Sequence, residues 1–148
     1  MRRIANGPLW IGHARDARDL RCVHEAGIEA IVDLAIEEPP VIPTRELVYF
    51  RVPLLDGVGN SPAMLILATD AVGVLLSEGT PTLVACSAGM SRSPAVVAVA
   101  MAKQEDRSPA DVLAELSQSG PIDVSPGLWR ELVGAVLDRD GLSNQGVG

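Results

Sequence analysis

A cysteine and an arginine stand six positions apart in this chain, a spacing that suits nucleophilic chemistry on a bound anion. They bound the segment Cys86-Ser87-Ala88-Gly89-Met90-Ser91-Arg92, which follows an apolar run of strand length and precedes one of helical length. Loop amides and a helix N-terminus can together bind an anion, and this setting favours the thiolate form of Cys86. Arg92 opposes the helix dipole there, which is explained if its guanidinium binds a dianion through two hydrogen bonds. The alternative interpretation is a buried core cysteine beside a surface arginine.

The segment from Cys86 to Ser93 resembles the Cys-x5-Arg-Ser/Thr signature of the cysteine-based protein phosphatases. The pattern Ala-Gly-x-Ser-Arg-Ser within it is most similar to the dual-specificity branch of that superfamily. The resemblance implies a cysteine-dependent phosphatase that hydrolyses phosphomonoesters through a phosphocysteine intermediate, without a metal ion or cofactor. It also implies that the loop residues bind the transferring phosphate; these are Ser87, Ala88, Gly89, Met90, Ser91 and Arg92.

The same resemblance supplies candidates for two further catalytic roles. The family has an aspartate in a loop after a strand, about thirty residues before the cysteine, and Asp56 matches that position. It would protonate the leaving oxygen and then activate water. The alternative for Asp56 is an ordinary turn aspartate before glycine. Ser93 matches a family hydroxyl that hydrogen-bonds the sulfur and eases departure of the thiolate, but it could equally be a helix N-cap before Pro94.

Three other positions bear on the expected site. The family usually has histidine before the nucleophile, whereas this chain has Ala85. Because that histidine helps to order the loop and favours the thiolate, its loss affects the expected rate more than the expected reaction. Asp33 ends a neighbouring predicted strand and is expected to orient loops. Cys22 falls in a predicted helix of apolar spacing and is expected to be a core thiol.

Apolar runs, turn residues and helix-start patterns predict the elements that position these residues. Strands are predicted at Leu9–Ile11, Ile28–Leu34, Leu47–Val52 and Thr82–Ala85. Helices are predicted at Asp16–Ala26, Pro62–Ser77, Pro94–Lys103, Pro109–Ser117 and Pro126–Asp138. The last four begin at Ser-Pro pairs, in which serine is expected to cap the free amides, and Ser108 with Asp111 resembles a capping box.

This order of elements predicts an α/β fold with a central, mostly parallel sheet and helices on both faces. The resemblance implies the same architecture, the single-domain fold of the dual-specificity phosphatases. Residues 1–140 are expected to form the catalytic domain, and residues 141–148 a flexible tail. Ligands of such sheets bind outside the carboxyl ends of the strands, where Cys86 is expected to lie.

The amino-acid composition limits which binding partners and which cellular compartment are expected. A net charge of −7 argues against nucleic acid or an anionic membrane surface as the main partner. Two cysteines do not make a disulfide framework, so a reduced, cytoplasmic setting is expected. The most apolar stretch, around Asp70, is too short to span a bilayer.

Three hypotheses about function remain open. The leading one is a dual-specificity phosphatase that acts on phosphotyrosine and phosphoserine or phosphothreonine in proteins. The loop between Cys86 and Arg92 carries no lysine, which favours a monophosphate over a polyanionic substrate. The second is a phosphate-binding protein whose catalysis has decayed, a hypothesis motivated by Ala85. The third is a phosphatase for a small molecule or an RNA 5′ end, which only substrate screening would separate from the first.

Overall fold

The computed structural model describes residues 1–145 and, within the last helix, side chains as far as position 141. Its strands are β1 (Arg2–Arg3), β2 (Leu9–Gly12), β3 (Ala30–Ala35), β4 (Val48–Leu54) and β5 (Thr82–Ala85). Its helices are α1 (Ala14–Arg18), α2 (Leu20–Glu25), α3 (Pro62–Ser77), α4 (Arg92–Glu105), α5 (Pro109–Gln118) and α6 (Pro126–Gln145). The four predicted strands are confirmed, and no strand end is shifted by more than two residues. The short strand β1 was not predicted.

The five strands form one sheet in the order β1-β2-β5-β3-β4. Only β1 runs antiparallel to its neighbour, and the other three pairings are parallel. The register aligns Gly12 with Ala85 and Ala85 with Asp33, so the carboxyl ends of β2, β5 and β3 lie side by side. Because Cys86 follows Ala85 directly, the loop of residues 86–91 leaves the middle of this edge; it begins with the predicted nucleophile and is called the nucleophile loop below. The expected mostly parallel α/β sheet is confirmed.

Successive side chains of a strand point to opposite faces of the sheet, so the core is divided into two clusters, one on each face. Val84 and Cys86 belong to the larger cluster, which also holds the buried faces of α3, α4, α5 and α6. Leu83 and Ala85 belong to the smaller cluster, which Ala17 of α1 and Val23 of α2 complete. Helices therefore cover both faces, as expected, and neighbouring residues of β5 pack into different cores.

The predicted helix at Asp16–Ala26 is in fact two short helices. Asp19, with φ −84° and ψ 75°, leaves the helical conformation after α1. Its carboxylate accepts a hydrogen bond from the amide of Cys22 at 3.1 Å and so caps the start of α2. Apolar spacing continues across this break, and a local side-chain cap competes with helix continuation in a way that spacing alone does not reveal.

The last helix extends further than predicted. Helix α6 runs to Gln145 rather than ending at Asp138. The described part of the expected tail at positions 141–148 is therefore helical, and positions 146–148 lie outside the described residues.

Two serines of the Ser-Pro pairs stand at helix starts without capping them through their side chains. Ser61 and Ser108 occupy N-cap positions, but within the described residues neither side chain makes a capping hydrogen bond. The capping box predicted for Ser108 with Asp111 is therefore wrong. The favourable first-turn proline accounts for these starts instead.

A capping box forms at another place. The amide of Asp16 donates to His13 Nδ1 at 3.2 Å, and the amide of His13 donates to Asp16 Oδ2 at 3.0 Å. This box starts α1 directly after β2, next to the nucleophile loop. No helix among residues 1–145 combines the length and apolarity needed to cross a membrane.

Candidate active site

The nucleophile loop is fixed against the neighbouring strand end. Cys86 is 2% exposed and donates its amide to the carbonyl of Gly12 at 3.3 Å. The amide of Ala14 donates to the carbonyl of Ser87 at 3.2 Å. Gly89 has φ +71°, and a Cβ there would lie 2.8 Å from the Gly12 carbonyl oxygen. Glycine is therefore required at position 89 by both conformation and space.

One cavity brings together three of the four predicted catalytic residues, Cys86, Arg92 and Asp56, and Ser93 does not line it. It has a volume of ≈ 400 Å³ and opens at the carboxyl edge of the sheet. Its lining residues are Glu37, Asp56, Cys86, Ser87, Ala88, Met90, Ser91, Arg92 and Asp123. Of the predicted phosphate-binding residues only Gly89 is absent from this lining, because it faces Gly12 on the other side of the loop.

The buried guanidinium of Arg92 has two N–H groups that make no hydrogen bond to the described residues. The residue is 3% exposed. Its Nη1 donates to Glu37 Oε2 at 2.7 Å and to the carbonyl of Leu54 at 2.8 Å, and its Nη2 donates to Glu37 Oε1. A guanidinium has five N–H groups, so one on Nη2 and the one on Nε remain. Nε has no hydrogen-bond partner among the described residues. These two adjacent N–H groups form a fork of the kind that binds two phosphate oxygens.

Sequence reasoning missed two lining residues, Asp123 and Glu37, and of these it is Glu37 that binds Arg92. It lies just beyond β3, and its carboxylate also accepts a hydrogen bond from Ser87 Oγ. Hydrogen bonding to Arg92 lowers the pKa of Glu37 to about 2, despite an opposing effect of burial. Burial would lower the pKa of Arg92, but the bonds to Glu37 outweigh it and the pKa is raised. Both groups are therefore ionised at neutral pH.

A half-buried network holds the segment that carries Glu37. Tyr49 donates its hydroxyl to Asp33 Oδ2 at 2.6 Å and accepts the amide of Val41 at 3.1 Å. Arg51 adds a bond from Nη2 to the carbonyl of Glu38 at 3.1 Å. Asp33 thus orients a loop, which agrees with its expected role.

Asp56 lies at the mouth of the same cavity, on the loop after β4. Its Oδ1 accepts a hydrogen bond from Ser91 Oγ at 2.5 Å. The Ser91 hydroxyl in turn accepts the amide of Ser125 at 3.0 Å. The aspartate is exposed, so it can reach both the cavity and solvent. This placement suits a group that gives a proton to a leaving oxygen and later receives one from water.

Ser93 makes neither of the two contacts proposed for it. Helix α4 begins at Arg92, so Ser91 rather than Ser93 occupies the N-cap position. Ser93 is fully buried, and its Oγ has no hydrogen-bond partner among the described residues, the Cys86 sulfur included. The predicted bond to the sulfur is thus not formed, although the hydroxyl remains free to turn towards a neighbour.

The structure also places Cys22 and Ala85, two further positions considered in the sequence analysis. Cys22 is exposed on α2, so the expectation of a core thiol was wrong. The break at Asp19 rotates α2 relative to the continuous helix on which that expectation relied. Ala85 is fully buried in the smaller core cluster, on the face of the sheet opposite to Cys86. A histidine ring would not fit there without displacing core side chains.

No family model matches this sequence, and no curated protein matches it. Solved structures do match. Human DUSP28 superposes over 93% of this chain and 95% of its own, with a TM-score of 0.76 and 24% identity. The chain has the fold of the dual-specificity phosphatases. Two further phosphatase-fold neighbours are human tyrosine phosphatase-like serine/threonine/tyrosine-interacting protein (21% identity, 89% and 93% coverage, TM-score 0.74) and PTPMT1 in complex with PI(5)P (17% identity, 91% and 94% coverage, TM-score 0.71).

Likeness at this level of identity establishes the phosphatase fold and not the activity. The neighbours include both phosphatases and a tyrosine phosphatase-like protein. Whether this chain carries out phosphatase chemistry therefore depends on its own site residues.

Proposed function

We propose that this chain is a phosphomonoester hydrolase of the dual-specificity type, which works through a phosphocysteine intermediate on Cys86. The observation that carries the proposal is that Arg92, whose Nε has no hydrogen-bond partner among the described residues, lines the same cavity as Cys86 and Asp56. Each of the three parts needed for phosphoryl transfer through a thiol is then available: a nucleophile, a dianion clamp and a proton donor.

In the first step the Cys86 thiolate attacks phosphorus, and the bond from phosphorus to the ester oxygen breaks. Asp56 gives its proton to that oxygen, so the product leaves as an alcohol or phenol. The Arg92 fork binds two of the non-bridging oxygens, and the short loop encloses the phosphoryl group. Because charge spreads over these oxygens in the transition state, fixed donors contribute most of the stabilisation.

In the second step water attacks the phosphocysteine, and Asp56, now a carboxylate, takes the proton from that water. The bond between sulfur and phosphorus breaks, which returns the thiolate and releases inorganic phosphate. Arg92 stabilises the departing thiolate as well as the phosphate, because Cys86 lies within electrostatic range of its guanidinium. The hydroxyl of Ser93 can assist only if it rotates towards the sulfur.

The proposed substrate carries a single phosphate, as on phosphotyrosine, phosphoserine or phosphothreonine in a protein. Three carboxylates line the cavity, those of Glu37, Asp56 and Asp123, and Arg92 is the cation among its lining residues. A second phosphate group beside the first would meet these negative charges.

The test is hydrolysis of p-nitrophenyl phosphate by the wild type and by Cys86→Ser, each with and without EDTA. We expect turnover by the wild type in EDTA, inhibition by vanadate, and no turnover by Cys86→Ser. If the wild type binds vanadate but releases no p-nitrophenol, the chain is a phosphate-binding protein whose catalysis has decayed. If it neither binds vanadate nor turns over the ester, the proposed function is wrong.

A further inference from the structure

The loop that carries Asp56 is closed on itself by one side chain. Within this loop, Leu55–Asn60, the side chain of Asn60 accepts the amide of Leu55 at 2.8 Å. It also donates Nδ2 to the carbonyls of Leu55 at 3.0 Å and Gly57 at 3.2 Å. Gly59 has φ +99°, a conformation that favours glycine. The segment, here called the acid loop, is therefore a compact turn and not a free connection.

Helix α6 holds the far end of the acid loop. Glu131 Oε1 accepts the amide of Gly59 at 3.0 Å, and Glu131 Oε2 accepts the amide of Asn60 at 3.3 Å. Two consecutive amides thus converge on one carboxylate, which lies 72 positions away from Gly59 in sequence. Charge-assisted bonds of this kind are stronger than bonds between neutral groups.

The start of the same helix holds Asp56 itself, through Ser91. Ser91 is 7% exposed, and its hydroxyl has one proton to donate. Ser125, directly before α6, donates its amide to Ser91 Oγ at 3.0 Å. This bond occupies a lone pair of the hydroxyl, and the hydroxyl proton points to Asp56 Oδ1 at 2.5 Å. The rotamer of an otherwise exposed carboxyl is thereby fixed over the cavity.

We propose that Ser91 and Glu131 are positioning residues for proton transfer by Asp56. Ser91 aims the carboxyl, and Glu131 fixes the loop from which the carboxyl projects. Proton transfer needs the acid within hydrogen-bond reach of the leaving oxygen, so a small displacement costs rate in that step. The inference rests on the proposed function, since it gives the two residues a role only if Asp56 is the acid.

The experiment compares substrates that need the acid with substrates that do not. The variants are Ser91→Ala, Glu131→Ala, Glu131→Gln and Asp56→Asn, with Ser117→Ala on α5 as the matched control, because Ser117 is exposed and bonds only locally. The readout is the ratio of kcat/KM for p-nitrophenyl phosphate to kcat/KM for an alkyl phosphate, because kcat/KM reports the step in which the leaving group departs. Alkyl leaving groups depend on protonation far more than p-nitrophenolate does.

We expect Ser91→Ala and Glu131→Ala each to raise this ratio by about tenfold, in the direction of Asp56→Asn. Glu131→Gln should recover part of the loss, since its amide oxygen can still accept one of the two backbone N–H groups. In the Asp56→Asn background neither substitution should raise the ratio further. Ser117→Ala should leave it unchanged.

Two results would overturn the inference while leaving the proposed function intact. One is an equal loss for both substrates in Ser91→Ala and Glu131→Ala, with the ratio raised only by Asp56→Asn. The other is a further rise in the Asp56→Asn background, which would show action independent of that carboxyl. A ratio that Asp56→Asn itself does not change would refute the proposed acid, and the inference with it.

A second measurement needs no turnover. Hydrogen exchange should accelerate in the peptide covering the acid loop in Glu131→Ala but not in Ser117→Ala. Unchanged exchange would show that Glu131 does not hold the loop, whatever the catalytic outcome.

Discussion

The Glu37 carboxylate faces the Arg92 guanidinium end-on, with Nη1 and Oε2 separated by 2.7 Å and the two residues by 55 positions in sequence. The pair uses two of the five guanidinium N–H groups, and the Leu54 carbonyl takes a third. The remaining two N–H groups lie on the adjacent edge. A phosphate can therefore bind Arg92 without displacing Glu37, and Glu37 fixes the direction in which the free edge points.

Arg92→Lys tests the need for that edge. Lysine keeps the positive charge but cannot present two parallel donors. We expect turnover of p-nitrophenyl phosphate to fall by at least about a hundredfold, on the order of 3 kcal/mol of transition-state stabilisation. The measurement is steady-state kcat at saturating substrate. A variant within a few-fold of the wild type would mean that Arg92 does not hold the transferring phosphoryl group.

Glu37→Gln tests the pair through the pH dependence of stability. The folded-state pKa of Glu37 is depressed to about 2 from an ordinary value of 4.5. Its contribution should be fully present above about pH 4.5 and should be lost as the pH falls through about 2. We therefore expect the Tm advantage of the wild type over Glu37→Gln to be constant from pH 7 to pH 5 and to shrink below that range.

The size of this advantage should be modest. The Glu37 side chain is 48% exposed, so solvent screening limits the contribution to about 1 kcal/mol or less. The control is Glu46→Gln, which changes the same charge on an exposed turn before β4. An advantage that grows as the pH falls from 5 towards 3 would contradict the assignment of this pair.

Some of this site follows from sequence because its parts are local. Cys86 and Arg92 lie at the two ends of one short loop, and the strand and helix that flank it have clear apolar patterns. Glu37 could not be placed in the same way, because its contact with Arg92 depends on which strands are neighbours in the sheet. A signal was present: Glu37 and Glu38 follow the buried strand β3, which proves to lie beside β5.

The predicted fold was wrong where a local hydrogen bond competes with an apolar pattern that spans several turns. Apolar spacing predicts one helix across Asp19, but the Asp19 side chain caps a new helix and turns Cys22 to solvent. Ser-Pro pairs locate three helix starts correctly, at Pro62, Pro109 and Pro126, while α4 begins two residues before Pro94. This earlier start places Arg92 in the first turn of α4, where the residue is buried.

Asp56→Asn tests the acid through the pH profile of kcat/KM. Asparagine has no proton to give to the leaving oxygen, so turnover should fall. We also expect the decline of kcat/KM on the basic side of the profile to disappear, because that decline reports loss of the proton from the acid. Asp123→Asn, at the same cavity mouth, is the control. A basic limb that persists unchanged in Asp56→Asn would assign the proton to another group.

The acidic lining of the cavity leads to a prediction about substrates. Phosphotyrosine peptides flanked by lysine should show a kcat/KM several-fold higher than matched peptides flanked by glutamate, because each exposed charge contact contributes about 0.2–1 kcal/mol. The difference should shrink in Asp123→Asn and at high salt. Equal rates for the two peptides at low salt would show that the carboxylates at the mouth do not select substrates.

The covalent intermediate on Cys86 is the most direct test of the central claim. Turnover of p-nitrophenyl phosphate should be stopped by rapid quenching, and the peptide that contains Cys86 should be analysed by mass spectrometry. We expect one added phosphoryl group on that peptide in the wild type, a burst of p-nitrophenol that approaches one equivalent, and neither in Cys86→Ser. Turnover by Cys86→Ser at the wild-type rate, or a phosphoryl group found on another residue, would contradict the account.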